Sequence, residues 1–445
     1  MVNPTDKPYR LTLAPDWNSV ATADYDYIAP GSLDAANDMD HKQAVKRQSK
    51  ALKPQGNTVT FTVEPLSAGV VTLSRKEWAD MDFYRHLYLD VTVEGRQARF
   101  ALDTGSPYSF PDSTFVARND LKYKNTFRAK MGGTGNGKAT VTVINNEFTY
   151  SMGGRKYKSQ ISPVIQLKEI LGDYADGLVG LAEVGDAAIA IDYVNGRIGF
   201  WDKVEAEDLE GYTAIPVEYA DRRILLPIRV QARDGITVEG KAIMDLGNPY
   251  SIDLTRATAE KYGIAAIQPA LTSSMAVGGI GGSSSSGDFR ALSAEIGPFT
   301  LDAPIVGYSF NTEGALSDEK WIALLGNEVW SRFDMIIDAA HGQLYLRPNA
   351  TFAEPFECPV KGFSATYRTQ TLGCWTVNSL FDGSNAQKAG LRGGDHIVAV
   401  NGRDVRTYSH QAYRTWSDGL RSVTLTVLRD GEELEISFDF DEPKL

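Results

Sequence analysis

Two carboxylates sit in matching surroundings. Asp103 lies in Ala101-Leu102-Asp103-Thr104-Gly105-Ser106, and Asp245 in Ile243-Met244-Asp245-Leu246-Gly247-Asn248. In each, an apolar run leads into an aspartate on a Gly-containing turn. The missing side chains of Gly105 and Gly247 let one such loop approach another closely. Two carboxylates brought together this way can share one proton. Like charges held so close cannot both ionise, which separates the pair into an acid and a base. Such a pair can take a proton from water while giving one to a carbonyl, the chemistry of amide hydrolysis without a metal or covalent nucleophile.

The elements that must position these residues are repeated as well. FALDTGSPYSFPDSTF (100–115) aligns with AIMDLGNPYSIDLTRA (242–257). Farther along, Met131-Gly132-Gly133-Thr134-Gly135 is answered by Val277-Gly278-Gly279-Ile280-Gly281, and Leu178-Val179-Gly180 by Leu324-Leu325-Gly326. IDYVNGRIGF (191–200) is answered by IDAAHGQLYL (337–346). Matched features at nearly matched offsets make an internal duplication. Alternating stretches such as LYLDVTVEG (87–95) and LLPIRVQARDG (225–235) predict hairpins that run into each aspartate.

Asp-Thr-Gly-Ser, a Gly-rich hairpin about thirty residues later and an apolar-apolar-Gly triplet together resemble the retropepsin-like aspartic proteases. VGGIGG (277–282) resembles the flap of the retroviral members, which are homodimers, whereas this chain carries both halves, as pepsin-like enzymes do. The resemblance covers roughly residues 58–348. It implies a mainly β fold, a two-lobed acid-protease β-barrel pseudo-dimer, with Asp103 and Asp245 as catalytic dyad. Thr104 would donate across to the opposite loop and Ser106 would support its carboxylate. Gly132, Gly133 and Gly135, with Gly278, Gly279 and Gly281, would form two flaps over a protein or peptide substrate. The second motif departs from the family: Leu246 replaces Thr or Ser and removes one cross-loop hydroxyl, while the Asn248 amide is expected to replace the Ser donor. Leu246→Thr is expected to restore the bond and add about 1 kcal/mol of stability. Two functions follow: an endopeptidase, or a pseudo-protease that binds extended peptides without cleaving them.

Composition narrows the field. A net charge of −12 leaves no surplus of Lys and Arg to neutralise phosphates, which argues against nucleic acid as partner. Two cysteines, Cys358 and Cys374, exclude a disulfide framework and a Cys-based zinc site. Five scattered histidines offer no ligand pair, so neither metal nor cofactor is expected. No apolar run is long enough to span a bilayer. The first residues, MVNPTDKPYR, lack a signal-peptide core. Bacterial proteins of the resembled kind are commonly exported, so the periplasm or cell surface is expected, with the cytoplasm as alternative. A monomer is the expected state.

Four segments result: an N-terminal extension (1–57), two lobes (58–202 and 203–350) and a terminal domain (360–445). Lys42, Lys46, Arg47, Lys50 and Lys53 have spacings that suit one helical face, either a solvated helix or an inhibitory segment over an acidic cleft. A short helix is expected around Lys76–Tyr84. QKAGLRGGDHIVAVNGRDV (387–405) and VTLTVLRDGEELEISF (423–438) resemble a PDZ domain, α+β in class. That resemblance implies a peptide ligand, chain ends included, and a carboxylate-holding loop at Thr371-Leu372-Gly373-Cys374 with Arg368 upstream. The peptide would add beside Trp375–Leu380 and a groove helix starting at His410. Thr371 stands where the family usually has Gly.

Overall fold

The computed structural model describes residues 1–15, 19–30, 32, 45–123, 125–181, 184–233 and 235–445. The protein is mainly β. No helix among the described residues is long and apolar enough to cross a membrane.

The N-terminal strands form a unit of their own. Thr22–Ile28 lies between Arg47–Leu52 and Ser67–Ser74, Val2–Asn3 pairs with the outer side of the latter, and Tyr9–Leu13 pairs with Val59–Val63. In VTFTV (59–63) the inward positions Val59, Phe61 and Val63 alternate with threonines. They pack with Ala23, Tyr25 and Leu52 into a separate small core. Because strands 59–63 and 67–74 pair backwards into this unit, the expected boundary at 57/58 falls inside it. The expected basic helix is also corrected. Residues 41–44 lie outside the described residues, and Arg47–Leu52 is an edge strand, held by Arg47 and Ser49 bonding to Asp26 across the sheet. Those bonds keep the exposed Asp26 carboxyl below its ordinary range.

A strand, Trp78–Tyr84, replaces the short helix expected there. Ala79, Met81 and Phe83 recur with period two and pack on the main core, so tertiary pairing overrides local propensity. The two copies of the duplication then fold alike. His86–Val93 and Arg96–Leu102 form one hairpin, Arg223–Gln231 and Thr237–Met244 the other. The apolar triplet of each copy returns as a parallel strand beside the hairpin, with Val179 opposite Leu102 and Leu325 opposite Met244. The backbone N–H of each aspartate ties into that strand, Asp103 N to Val179 O and Asp245 N to Leu325 O, both at 2.9 Å.

The copies meet through equivalent strands. Ala188–Asp192 pairs antiparallel with Phe333–Asp338, placing Ile189 opposite Ile337 and Ile191 opposite Met335. These are corresponding positions of the repeat, so the junction is self-complementary about Ala190 and Ile336. One continuous apolar core runs through both copies. The expected closed barrels do not form among the described residues, where every sheet is an open path. The outer strands of the first large sheet, Phe110–Pro111 and Thr213–Pro216, each carry a proline, which has no N–H to extend a ladder.

The C-terminal strands Phe363–Arg368, Cys374–Phe381, His396–Val400, Ser422–Arg429 and Glu432–Asp439 surround a third core around Trp375, Ile397 and Leu425. Ser384 and Ser409 cap the two short helices, Asn385–Lys388 and His410–Arg414. This sheet continues into the second repeat, because Ala270–Met275 pairs with Cys374–Phe381, Ser274 opposite Leu380.

Candidate active site

The two aspartate loops lie against each other. A β-carbon on Gly105 would sit 2.6 Å from Asp245 Oδ1, and one on Gly247 would sit 2.5 Å from Asp103 Oδ1. Both positions therefore require glycine, and each faces the other loop's carboxylate. Asp103 accepts from Ser106 N and Asp245 from Gly247 N, both at 2.9 Å. The two carboxyl groups also hydrogen-bond to each other. Burial pushes the Asp103 carboxyl up, opposed by the N–H bond from Ser106 and by Asp245. Asp245 is driven well above its ordinary value, by burial first and then by the charge of Asp103. Both carboxyls are raised, Asp245 the more strongly, which favours one proton held between the pair.

Thr104 ties the two loops through their backbone. Its buried hydroxyl donates to Met244 O at 2.6 Å and accepts from Leu246 N at 2.9 Å. Leu246 has no hydroxyl to return, and its side chain is fully buried in the core. The Asn327 amide anchors that loop instead, donating to Leu246 O at 2.7 Å and to Arg85 O at 2.8 Å. Sequence reasoning missed Asn327, although it directly follows the Leu324-Leu325-Gly326 triplet. Two expected supports act elsewhere. The Ser106 hydroxyl donates to Tyr108 O at 2.8 Å, so its backbone N–H, not its side chain, serves Asp103. The Asn248 amide donates to Asp253 at 2.6 Å and its oxygen accepts from Tyr250 N, leaving Asp245 to Gly247 N. In both cases the short side chain is consumed by its own turn.

The Gly-rich hairpin tips cross. Thr134 Oγ1 donates to Gly278 O at 2.8 Å, Gly135 N to Ile280 O at 3.1 Å and Asn136 N to Ser283 O at 2.9 Å. A β-carbon on Gly133 or Gly135 would meet the opposite tip within 2.9 Å, while Gly132 has more room. Gly279 and Gly281 hold φ values of 130° and 109°, which favour glycine, and Gly278 packs against Ser284. The segment 311–315 braces the crossing: the Asn311 amide donates to Thr134 O, and Asn136 Oδ1 accepts from Thr312 N and Glu313 N. Beside the second tip, a cavity of about 740 Å³ runs over the first repeat, lined by Val116, Leu121, Val141, Ile165, Val277 and Ile280 among others. It contains neither carboxylate.

The terminal domain departs from expectation at its groove. Both edges of Cys374–Phe381 are taken, one by Phe363–Arg368 and the other by His396–Val400 and Ala270–Met275. Trp375 is fully buried in the core, so no peptide can add beside it. The carboxylate-holding turn is displaced by one or two residues: Gln370 N and Thr371 N, not Leu372, Gly373 or Cys374, donate to a carboxylate, that of Asp173. Leu372 is exposed and closes the turn onto Arg368 O, Gly373 sits at φ 70°, and the buried Cys374 thiol faces Thr376. Arg368 does stand at the site, its Nε 3.7 Å from Asp173 Oδ1. His410 opens the short helix and stacks on Tyr174 at 3.7 Å between ring centres. Burial holds its imidazole down at about 4, so it is neutral at pH 7. Cys358 and Cys374 are both free thiols. No group of side chains suited to holding a metal occurs among the described residues.

No curated protein matches the chain. A family model, that of the PDZ domain, matches residues 376–429, and the C-terminal unit therefore carries a PDZ domain, a module that docks peptides.

Proposed function

We propose that this chain is an aspartic endopeptidase in which the two repeats are the lobes of an acid-protease pseudo-dimer, the first beginning after Ser74, with a PDZ domain attached. The supporting observation is the face-to-face placement of Asp103 and Asp245, each against the other loop's glycine, with burial raising both carboxyls. Asp103, ionised, takes a proton from water, and the hydroxide oxygen attacks the scissile carbonyl carbon. Asp245 gives its proton to the carbonyl oxygen, yielding a neutral diol. Asp103 then protonates the amide nitrogen while Asp245 recovers a proton from the diol, and the C–N bond breaks. The crossed hairpins act as flaps and must part to admit an extended peptide.

Cleavage of a mixed peptide library, blocked by a statine-type inhibitor and absent in Asp103→Asn, is the expected result. A peptide-binding module without hydrolysis is the second reading, favoured by Leu246 and by tips already bonded to each other. Library binding without new termini, unchanged by the inhibitor, would establish it.

A further inference from the structure

The turn at 368–371 is a complete carboxylate receptor, and its occupant comes from the same chain. The Asp173 side chain has no solvent exposure. It accepts from Gln370 N at 2.7 Å, Thr371 N at 2.9 Å and Thr371 Oγ1 at 2.7 Å, while Arg368 Nε bonds Thr371 Oγ1 at 3.0 Å. Its backbone adds to the free edge of Phe363–Arg368, Asp173 N donating to Tyr367 O at 2.8 Å. The next residue, Tyr174, stacks on His410 of the short helix. Asp82 completes the seat, bonded by the Tyr174 hydroxyl and by Arg414 of the same helix. A strand edge, a carboxylate turn and a helix-borne ring thus grip the dipeptide Asp173-Tyr174 as they would an extended peptide.

The segment is built to be presented. The Lys168 amine, only 4% exposed, donates to Ala175 O at 2.8 Å and Asp173 O at 3.3 Å, fixing the loop from beneath. Downstream the chain enters Gly177–Val179, which receives the Asp103 backbone N–H. On its other side the PDZ domain holds the base of the second flap. Ala276 N donates to Asn378 O at 2.7 Å and Val277 N to Asn378 Oδ1 at 3.0 Å, at the first residue of VGGIGG.

We infer that residues 172–174 are an internal ligand of the PDZ domain, that an extended peptide presenting Asp followed by an aromatic residue competes for the same seat, and that the exchange loosens the second flap. Internal occupancy lowers the apparent affinity for an outside peptide by the fraction of time the seat is free.

The test uses the full-length protein and a fluorescein-labelled peptide of residues 171–176 with blocked ends. Asp173→Ala should bind it at least about tenfold tighter than the unaltered protein, and adding Thr371→Val should remove that gain. Amide exchange across 270–283 should be faster in Asp173→Ala. Equal affinities for the two proteins, or a gain untouched by Thr371→Val, would overturn the internal ligand; unchanged exchange would overturn the link to the flap. Should Asp173→Ala misfold, Asp173→Asn keeps the shape without the charge and should give an intermediate gain; no gain would overturn the idea equally. Binding and exchange are read without cleavage, so the outcome is separate from that of the protease reading.

Discussion

The two aspartate loops share a backbone and differ in almost every supporting side chain. In the first, Thr104 makes both cross-loop bonds; in the second, Leu246 faces inward and Asn327 secures the turn from behind. A hydroxyl both donates and accepts, so one Thr is enough to tie two loops, and the matching position is released to join the core. The difference continues underneath. The position equivalent to Pro111 in the first copy is Asp253 in the second, where it lies near Asp288 against Gly307. One half supplies the tie, and the other carries the apolar filling and the raised acids Asp253 and Asp288.

The largest test asks whether the loops still act as one unit. If Asp103 and Asp245 share a proton, Asp103→Asn and Asp245→Asn should each lower kcat by a thousandfold or more, about as much as the double change. The pH profile of kcat/KM should be bell-shaped and belong to the pair. Loss of activity in Asp103→Asn alone would show that the loops differ in chemistry and not only in support.

Next come the acids behind the second loop. Burial raises Asp253 to about 6, opposed by the Asn248 amide, and the neighbouring Asp245 carboxyl adds to the rise. Asp288 is raised to about 8 by burial and by the charges of Asp253 and Glu328. The folded protein therefore holds protons that the unfolded chain has released above a pH of about 4. Stability should fall as pH rises from that value through 6 for Asp253 and 8 for Asp288, by at most about 1.4 kcal/mol per pH unit for each group. Denaturant midpoints between pH 4.5 and 8 should show the decline, and Asp288→Asn should flatten it. A slope unchanged by Asp288→Asn would place the pH dependence elsewhere.

Thr104→Val probes the tie itself. It keeps the shape but strands Met244 O and Leu246 N in a buried place, at a cost of about 2–4 kcal/mol for the two groups. Asn327→Ala should cost less, about 1–2 kcal/mol, since it frees two carbonyls and the Tyr193 hydroxyl but no backbone N–H. Equal losses would mean that the second loop relies on its own brace as heavily as on the partner's hydroxyl.

What could be read beforehand follows from how local each feature is. The aspartate turns, the Gly-rich tips and the hairpins leading to Asp103 and Asp245 are written in contiguous residues and then repeated. Asn136, Asn311 and Asn327 act on backbone far away in the chain, and although Asn327 adjoins a repeated triplet, nothing local says which backbone it reaches. The N-terminal sheet pairs 22–28 with 67–74, a partner choice that alternation does not specify. Lys76-Glu77-Trp78 looks helical until Arg197–Trp201 and His86–Val93 pair with the strand that follows. Asp173 is one of two acids in a short loop, with nothing in the sequence to single it out. Only the turn at Arg368–Thr371 gives it meaning, and the side chain of Thr371, a departure from the PDZ family's usual Gly, adds a hydroxyl bond to it.

Leu246→Thr is the smallest effect and tests the comparison most finely. From the residues alone the change restores a missing cross-loop bond and stabilises. The packing reverses that expectation. Leu246 is fully buried and in contact with the shared core, and burial of a leucine contributes about 1.5–3 kcal/mol. A threonine forfeits much of that, and its hydroxyl returns about 1 kcal/mol even if it mirrors both bonds of Thr104. The net should be a loss of about 1 kcal/mol, read as a lower denaturant midpoint with the m-value unchanged. Combined with Thr104→Val, the same change should recover part of the loss, because the new hydroxyl can then carry the tie alone. A more stable single variant would mean that the second loop lacks its hydroxyl at a cost, and the division between a tying half and a packing half would fail.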